Sequence, residues 1–402
     1  MSRPTVLGVN NYHYLRGGSE RVFLDLGRLL AARGHRVVHL STAHPRNEPP
    51  PGPAVFVPPN DLSRPGPLDL VRFHYSRRAA RAVEGLLARE RIQLAHLHIY
   101  YGQLTPAILA PLTRAGVPIV QTLHEYKLLC PVHNLVSRGR PCEACAGRHF
   151  WRALPRRCNR GSLARTAMSV SEAYLARALG VDSRVARFVA VSEFLRAKVL
   201  QHGFAPERVV TVPNFIDAAA LVPASGPGEH VLFAGRLEDY KGVFTLLEAA
   251  AEARALPVLF AGDGPARSEL ERRVARLGLA HVRVLGFQDS AALAALVRAS
   301  RCVVVPSCWH ETFGLSALEA LAQGRAVIAS RIGALPELVQ DGENGFLVPS
   351  GDAGALAERL RWMAAHPSEA ADLGACGRAG ALERYSPEEH YTRLAAVYRE
   401  VG

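Results

Sequence analysis

The sequence predicts an α/β fold in which two doubly wound domains face a central cleft. Its 402 residues, 49% of them hydrophobic, are enough for two domains with separate cores. Short apolar runs alternate with amphipathic helical stretches, a pattern typical of parallel sheets covered by helices. The segment Val212–Asp217, followed by the Pro- and Gly-rich Leu221–Gly228, marks a joint. We expect domains of residues 1–220 and 221–386, and a last helix near 387–402 that packs back onto the first.

Apolar runs in the first half predict five strands. In order, these are Val6–Asn10, Val37–Leu40, Leu94–His98, Ile119–Leu123 and Phe188–Val191. A Gly-rich turn at Arg16–Ser19 precedes a helix near Glu20–Arg33. Asn47–Pro67 is rich in Pro and is predicted to be a surface excursion. Cys130–Gly161 has little periodicity, which predicts an inserted loop region outside the core.

Five more strands are predicted in the second half. They are Val231–Ala234, Val258–Ala261, Val282–Leu285, Val303–Val305 and Ala326–Ala329. In such sheets ligands bind beyond the carboxyl ends of the strands. We therefore look for the site in the loops that follow these strands.

Charge is distributed unevenly along the chain. The net charge is +12, but residues 1–220 carry 30 basic and 14 acidic side chains, a net +16, and the remainder carries −4. A basic half indicates an anionic partner such as a lipid phosphate, an anionic membrane leaflet or nucleic acid. No apolar run approaches the ~18 residues of a membrane span, and we see no signal peptide. The expectation is a cytoplasmic protein, peripheral at the inner face of the membrane, with reduced thiols.

The stretch from Ser307 to Glu319 is the strongest functional signal. It follows an apolar strand and continues into a helix with Leu315, Leu318 and Leu321 at helical spacing. Glu311 is predicted in the loop at the helix N-terminus and Glu319 about two turns further, roughly 10 Å along the axis. The free amides of the first turn favour an anion there. This layout suits a nucleotide-sugar, with phosphate at the helix tip, sugar near Glu311 and ribose near Glu319.

Two cations follow the first strand of the second half. Gly235 and Arg236 lie at its carboxyl end, and Lys241 lies at the start of the next helix. An arginine binds two phosphate oxygens at once and a lysine adds a point charge, so the pair would neutralise a diphosphate.

Short glycine-rich loops follow the other strands of that half. They are Gly262-Asp263-Gly264-Pro265, Gly286-Phe287 and Arg331–Glu337. Glycine lets backbone approach a ligand closely. Backbone groups at Gly286 and Phe287 are placed to bind a base edge.

Taken together, these motifs resemble the family 4 retaining glycosyltransferases, the glycosyl transferases group 1 of the GT-B fold with two Rossmann-like domains. Gly235-Arg236 with Lys241, the Gly262 loop, Glu311–Glu319 enclosing Phe313-Gly314, and Gly333 to Glu337 occur in the family's order. The resemblance is specific over residues 205–355 and weaker but continuous before that.

The resemblance implies a role for each site residue. Gly17 and Gly18 would contact the donor diphosphate through their amides, and His124, at the end of a strand, would lie near the donor sugar. Glu311 would contact the transferred sugar and Glu319 the ribose, while Arg236 and Lys241 would bind the diphosphate. It also implies transfer to a polysaccharide, a lipid-linked or another acceptor with retained configuration. The UDP, GDP or ADP donor stays open. No Asp-x-Asp motif is present, so we expect no catalytic metal.

Four cysteines depart from the minimal family pattern. They are Cys130, Cys142, Cys145 and Cys158, with Cys142 and Cys145 at metal-knuckle spacing. A structural zinc ion held by these thiols is one interpretation, with His133 and His149 as alternative ligands. Reduced, partly buried thiols are the other.

Two alternative functions stay open at this point. A sugar-nucleotide epimerase shares the predicted architecture, although the Glu311–Glu319 motif favours transfer. A zinc-stabilised nucleic-acid-binding protein would explain the basic half and the cysteines. It would lack interleaved aromatic residues and leave the second half unexplained, so no nucleic-acid partner is expected.

Overall fold

The first sheet contains seven parallel strands in the order β3-β2-β1-β4-β5-β8-β9. The computed structural model describes residues 3–61 and 66–402. The strands of the first half are β1 Val6–Val9, β2 Val37–Thr42, β3 Ala54–Val57, β4 Leu94–Leu97, β5 Ile119–Leu123, β6 Val136–Ser137, β7 Arg140–Pro141, β8 Arg187–Ala190 and β9 Val209–Thr211. Strands β6 and β7 form a separate antiparallel hairpin.

The second sheet contains six parallel strands in the order β12-β11-β10-β13-β14-β15. They are β10 His230–Ala234, β11 Val258–Ala261, β12 Val282–Gly286, β13 Ser300–Val305, β14 Ala326–Ser330 and β15 Gly345–Val348. Strands β13 and β14 are buried along their whole length, as parallel strands covered on both faces must be.

Fifteen helices are described around the two sheets. They are α1 Gly18–Ala32, α2 Pro67–His74, α3 Arg77–Arg89, α4 Leu109–Arg114, α5 Leu163–Ala178, α6 Val181–Arg184, α7 Glu193–Gln201, α8 Val243–Glu252, α9 Arg267–Arg276, α10 Ser290–Ala299, α11 Leu315–Ala322, α12 Leu335–Leu338, α13 Ala353–Ala365, α14 Pro367–Arg384 and α15 Pro387–Val401. Within the described ranges, none of them is both long and apolar enough to cross a membrane.

Strand order reverses at β1 and β4 in the first sheet and at β10 and β13 in the second. Crevices for ligands open at such reversal points, beyond the carboxyl ends of the strands. The two sheets direct these ends at the same cleft. The predicted fold class is therefore confirmed.

The last helix returns to the first sheet. Helix α14 packs on the second sheet, and α15 then packs Leu394, Val397 and Tyr398 into an apolar cluster with Val6 and Leu26. The Tyr398 hydroxyl lies 2.6 Å from Nδ1 of His96 on β4. The first sheet is thus covered by a helix that comes from the far end of the chain.

Two sequence predictions were wrong. The Asn47–Pro67 stretch contains strand β3, which pairs with β2, although residues 62–65 of that prediction lie outside the described residues. Residues 130–161 are not outside the core, because Cys130, Leu135 and Phe150 are buried. Phe150 packs with residues of α5 in a small apolar cluster. The segment folds into 3₁₀ turns and a hairpin. Buried residues in such short elements do not recur at a regular spacing, so the sequence pattern did not indicate them.

Buried histidines make the first domain sensitive to acid. Burial lowers the pKa of His96 to about 3 and that of His390 to about 4, whereas both titrate near 6.5 in model peptides. Their contribution to stability is complete above pH 6.5 and is lost as pH falls toward the folded pKa. At pH 5 His96 alone should cost about 2 kcal/mol of unfolding free energy.

We therefore expect urea denaturation to show a loss of stability between pH 7 and pH 5, and His96→Gln to reduce that loss. If the free energy of unfolding falls by the same amount between pH 7 and pH 5 in the variant and the wild type, the assignment to His96 is wrong.

Candidate active site

A cleft of about 690 Å³ lies between the carboxyl ends of the two sheets. Ten predicted site residues line it: Gly17, Gly18, His124, Arg236, Lys241, Phe287, Glu311, Phe313, Gly314 and Glu319. They come from loops after β1, β5, β10, β12 and β13 and from α11. The fold thus brings together residues that are as far as 302 positions apart in the sequence.

Glu311 is held by three donors on one carboxylate oxygen. Its Oε1 accepts hydrogen bonds from Ser307 Oγ at 2.6 Å, Trp309 Nε1 at 2.8 Å and Lys241 Nζ at 2.8 Å. The Lys241 ammonium also lies 4.7 Å from the centre of the Trp309 ring. The residue is buried, and hydrogen bonds to a charged group are stronger than neutral ones. The carboxylate is therefore fixed, and hydrogen bonds to Oε2 are absent among the described residues.

The two cations already have carboxylate partners. Lys241 pairs with Glu311, and Arg236 Nη2 lies 2.6 Å from Oε1 of Glu238. The Arg236 side chain is 57% exposed, whereas that of Lys241 is 26% exposed. Arg236 can therefore reorient toward an incoming anion at little cost, while Lys241 is held in place.

Two helix N-termini meet across the cleft. Helix α1 begins at Gly18 and α11 at Leu315, and a Cβ on Gly18 would lie 2.6 Å from Cδ1 of Leu315. Only glycine permits this approach without a shift of the leucine. The first-turn amides of both helices favour a negatively charged group between them.

Glu319 lies one turn into α11 and not two, because the helix begins only at Leu315, after Gly314 in the left-handed region. Its carboxylate lines the cleft, and burial raises its pKa, while the Arg21 charge on α1 acts in the opposite direction. A carboxylate at this depth is a hydrogen-bond acceptor for hydroxyl groups.

His124 is neutral and oriented by a second histidine. Its Nε2 lies 2.8 Å from Nδ1 of His98, and the two rings stack with centroids 5.0 Å apart. Burial lowers the pKa of His124 to about 3. The ring is thus uncharged at neutral pH and contributes hydrogen bonds rather than positive charge.

Of the neighbouring residues Gly286 and Phe287, only Phe287 lines the cleft. Phe287 is 74% exposed and lines the cleft. Gly286 does not line it, and its carbonyl accepts a hydrogen bond from the amide of Gly262 at 2.8 Å. Phe287 therefore offers an aromatic face, and Gly286 shapes the turn that presents it.

Sequence reasoning missed the two neutral side chains that hold Glu311. Ser307 and Trp309 both donate to Glu311, and both follow β13 directly. Their position at a strand end beside a carboxylate was the available signal. Arg16 and Glu125 also line the cleft without having been predicted.

The four cysteines of the insert are free thiols, of which Cys130 and Cys145 are buried. Burial raises the pKa of Cys145 to about 12, and the other three thiols add to this shift. They lie near one another, yet no three His, Cys, Asp or Glu side chains in residues 3–61 and 66–402 are arranged to hold a metal ion. As folded here, the thiols do not form a zinc ligand set, and zinc stays a prediction.

Two parallel α/β sheets facing one cleft are the arrangement of the GT-B fold. Sucrose-phosphate synthase from Thermosynechococcus elongatus has the same fold with a TM-score of 0.74, 21% identity and 99% of both chains covered. Anabaena Alr3699/HepE in complex with UDP-glucose gives a TM-score of 0.73 at 19% identity, covering 99% of this chain and all of that one.

Family models cover nearly the whole sequence. Glycosyltransferase Family 4 matches residues 16–220, and Glycosyl transferases group 1 matches residues 223–379. The chain therefore belongs to glycosyltransferase family 4.

Named relatives are glycosyltransferases of several kinds. A D-inositol 3-phosphate glycosyltransferase 1 of Catenulispora acidiphila is 31% identical over 76% of this chain and 72% of its own length. The phosphatidyl-myo-inositol mannosyltransferase of Mycobacterium tuberculosis is 28% identical over 96% and 94%. D-rhamnosyltransferase WbpZ of Pseudomonas aeruginosa is 37% identical, but the chain covers only 38% of that protein. The epimerase and nucleic-acid alternatives are not favoured.

The cations predict a measurable loss of activity. We expect Arg236→Ala and Lys241→Ala each to lower kcat/KM, with a loss of transition-state stabilisation of about 2–4 kcal/mol. The reason is that each change removes a cation that faces developing negative charge. Arg331→Ala is the matched control, since Arg331 pairs with Asp341 outside the cleft. Wild-type kinetics with unchanged melting temperatures in both site variants would show that these cations do not bind the donor.

The cysteines predict a metal content. If they bind zinc after local rearrangement, purified protein should contain about one zinc per chain and Cys142→Ser should reduce it, whereas Cys376→Ser, at an exposed site, should not. Metal-free protein in which Cys130, Cys142, Cys145 and Cys158 titrate as free thiols would rule zinc out.

Proposed function

We propose that the protein transfers a sugar from a nucleoside-diphosphate donor, bound mainly by residues 221–386, to an acceptor bound by residues 1–220. The observation that carries this proposal is the fixed Glu311 carboxylate paired with Lys241, beside two helix N-termini in one cleft. This arrangement places a hydrogen-bond acceptor for sugar hydroxyls next to groups that bind phosphate.

Each side chain then has a chemical task. Arg236, Lys241 and the amides of Gly17 and Gly18 bind the diphosphate. Glu311 accepts hydrogen bonds from the transferred sugar through Oε2, and Glu319 accepts them from the ribose.

Other residues shape the donor pocket around these groups. Phe287 covers the base, with Gly286 setting its turn, and Phe313 with Gly314 forms the wall before α11. His124 hydrogen-bonds the donor sugar as a neutral ring.

Membership of a retaining family implies transfer with retained configuration. The bond between the anomeric carbon and the β-phosphate oxygen breaks, while the acceptor oxygen bonds to that carbon on the same face. The acceptor's proton passes to the departing phosphate, whose growing charge is stabilised by Arg236, Lys241 and the helix amides. Because His124 is uncharged at neutral pH, the cations of the second domain supply this stabilisation.

A donor screen tests the proposal. UDP-glucose, GDP-mannose and ADP-glucose should be compared by thermal shift, because a ligand at about 100 times its Kd stabilises the folded state by about 2.7 kcal/mol. We expect one of them to raise the melting temperature and Arg236→Ala to reduce the effect. The HepE complex with UDP-glucose makes UDP the first nucleotide to test. If neither these sugars nor UDP, GDP and ADP shift the wild type, the proposed function fails.

The acceptor is proposed to be lipid-linked or otherwise anionic, as for cell-envelope glycans. The name of one relative, phosphatidyl-myo-inositol mannosyltransferase, includes a lipid. Arg152, Arg156, Arg157 and Arg160 of the insert and Arg165 at the start of α5 are all exposed, and none forms an ion pair with another described residue. Trp151 and Leu163 beside them are 53% and 52% exposed. Arginines with exposed apolar side chains suit an anionic membrane surface.

Vesicle sedimentation measures this association. The protein should pellet with anionic but not neutral vesicles at low salt, and binding should weaken at high salt. Each arginine contributes on the order of 1 kcal/mol, so replacing Arg152, Arg156 and Arg157 with Ala should abolish binding. The same change at Arg77, Arg78 and Arg81, exposed on α3, controls for net charge. Equal behaviour with both vesicle types would favour a soluble acceptor.

A further inference from the structure

The loop that carries Glu311 is bonded to the opposite domain. Tyr126, just after β5, donates its hydroxyl to the His310 carbonyl at 2.9 Å. Ser192, just after β8, donates to the Thr312 carbonyl at 2.7 Å. In return, Thr312 Oγ1 donates to the carbonyl of His124 at 3.0 Å. The residues on both sides of Glu311 are thus fixed by strand ends of the first sheet.

Glu337 makes a further contact between the domains. It lies on α12, and its two carboxylate oxygens accept the backbone amides of Glu193 at 3.0 Å and Phe194 at 2.7 Å. These are the first two residues of α7, in the other domain. Ser192 Oγ accepts the next free amide, that of Leu195, at 3.0 Å. The start of α7 is therefore capped jointly by its own serine and by a carboxylate from the donor domain.

The charge of Glu337 suits this position. A helix N-terminus carries partial positive charge, so a carboxylate there is favourable. The Glu337 backbone is also held, since Tyr385 donates its hydroxyl to the Glu337 carbonyl at 3.2 Å. Tyr385 precedes the helix that returns to the first domain, and its own carbonyl accepts the Ile216 amide at 2.9 Å. The cap thus lies beside the two segments that connect the domains.

Helix α12 is joined rigidly to the Glu311 loop. The Ala334 amide, just before α12, donates to the carbonyl of Glu311 at 2.9 Å. Gly333 has φ of +62°, and a Cβ there would lie 2.4 Å from the Glu311 amide nitrogen. This contact leaves no room for a side chain at residue 333. A displacement of α12 is therefore passed directly to Glu311.

We infer that Glu337 is a positioning residue, whose two-oxygen cap on α7 holds the domains in the arrangement that places Glu311 and His124 in one cleft. The inference rests on the proposed function only for its effect on turnover. Without the cap, α7 and α12 separate more easily, and the Glu311 loop is held less firmly in its position against the strand ends of the first sheet.

Four measurements on Glu337→Ala and Glu337→Gln test this. Hydrogen exchange should speed up at the amides of Glu193 and Phe194, and small-angle scattering should give a larger radius of gyration. With whichever of UDP-glucose, GDP-mannose and ADP-glucose is turned over, kcat should fall about tenfold. The Kd for UDP, GDP or ADP should change less than twofold, because the nucleotide-binding loops keep their own contacts. Gln, which keeps one acceptor oxygen, should give intermediate values.

Glu343→Ala is the matched control, an exposed carboxylate of the same domain. The inference is overturned if exchange at Glu193 and Phe194 and the scattering curve match the wild type, or if both change while kcat does not. Should Glu337→Ala fail to fold, Glu337→Gln decides by the same criteria. Failure of the proposed function would appear separately, as wild-type protein that binds none of the three nucleotides, and exchange and scattering would still decide the role of the cap.

Discussion

The ion pair between Lys241 and Glu311 is the interaction on which the rest of the site depends. A buried carboxylate is costly unless it is paired and hydrogen-bonded. Lys241 follows β10 and Glu311 follows β13, and these strands are neighbours in the second sheet although the two residues are 70 positions apart. The order of the strands therefore brings the pair together. Ser307 and Trp309 donate two further hydrogen bonds to the Glu311 carboxylate. One carboxylate oxygen is left for a ligand in a position that the sheet edge determines.

The two domains supply different electrostatics to the cleft. The second domain contributes Arg236 and Lys241, although its net charge is negative. The first domain is strongly basic overall, yet His124 and its partner His98 are kept neutral by burial. Part of the positive charge of the first domain lies instead on exposed arginines of the insert, Arg152, Arg156, Arg157 and Arg160. The exposed positive charge is thus spatially separate from the uncharged histidines of the cleft.

The insert is attached by buried contacts rather than by a continuous sheet. Lys127 donates to the Pro131 carbonyl at 2.8 Å and pairs with the buried Glu172 of α5. Removing one partner of such a pair would leave an uncompensated buried charge, which costs more than the intact pair contributes. The apolar residues of the insert also pack on α5. The exposed arginines thus stand on a framework tied into the first domain.

The sequence by itself determined the fold class and predicted ten of the residues that line the cleft. Alternating apolar runs give strands and helices through their periods, and motifs after strands must lie at the carboxyl edge of a parallel sheet. Strands β3, β9 and β15 were missed, and each of them is an edge strand of its sheet. Only the tertiary structure decided that His98 orients His124, that Ser307 and Trp309 hold Glu311, and that Glu337 caps a helix of the other domain. These contacts depend on which sheet edges and helix ends meet in space, and no local pattern of residues carries that information.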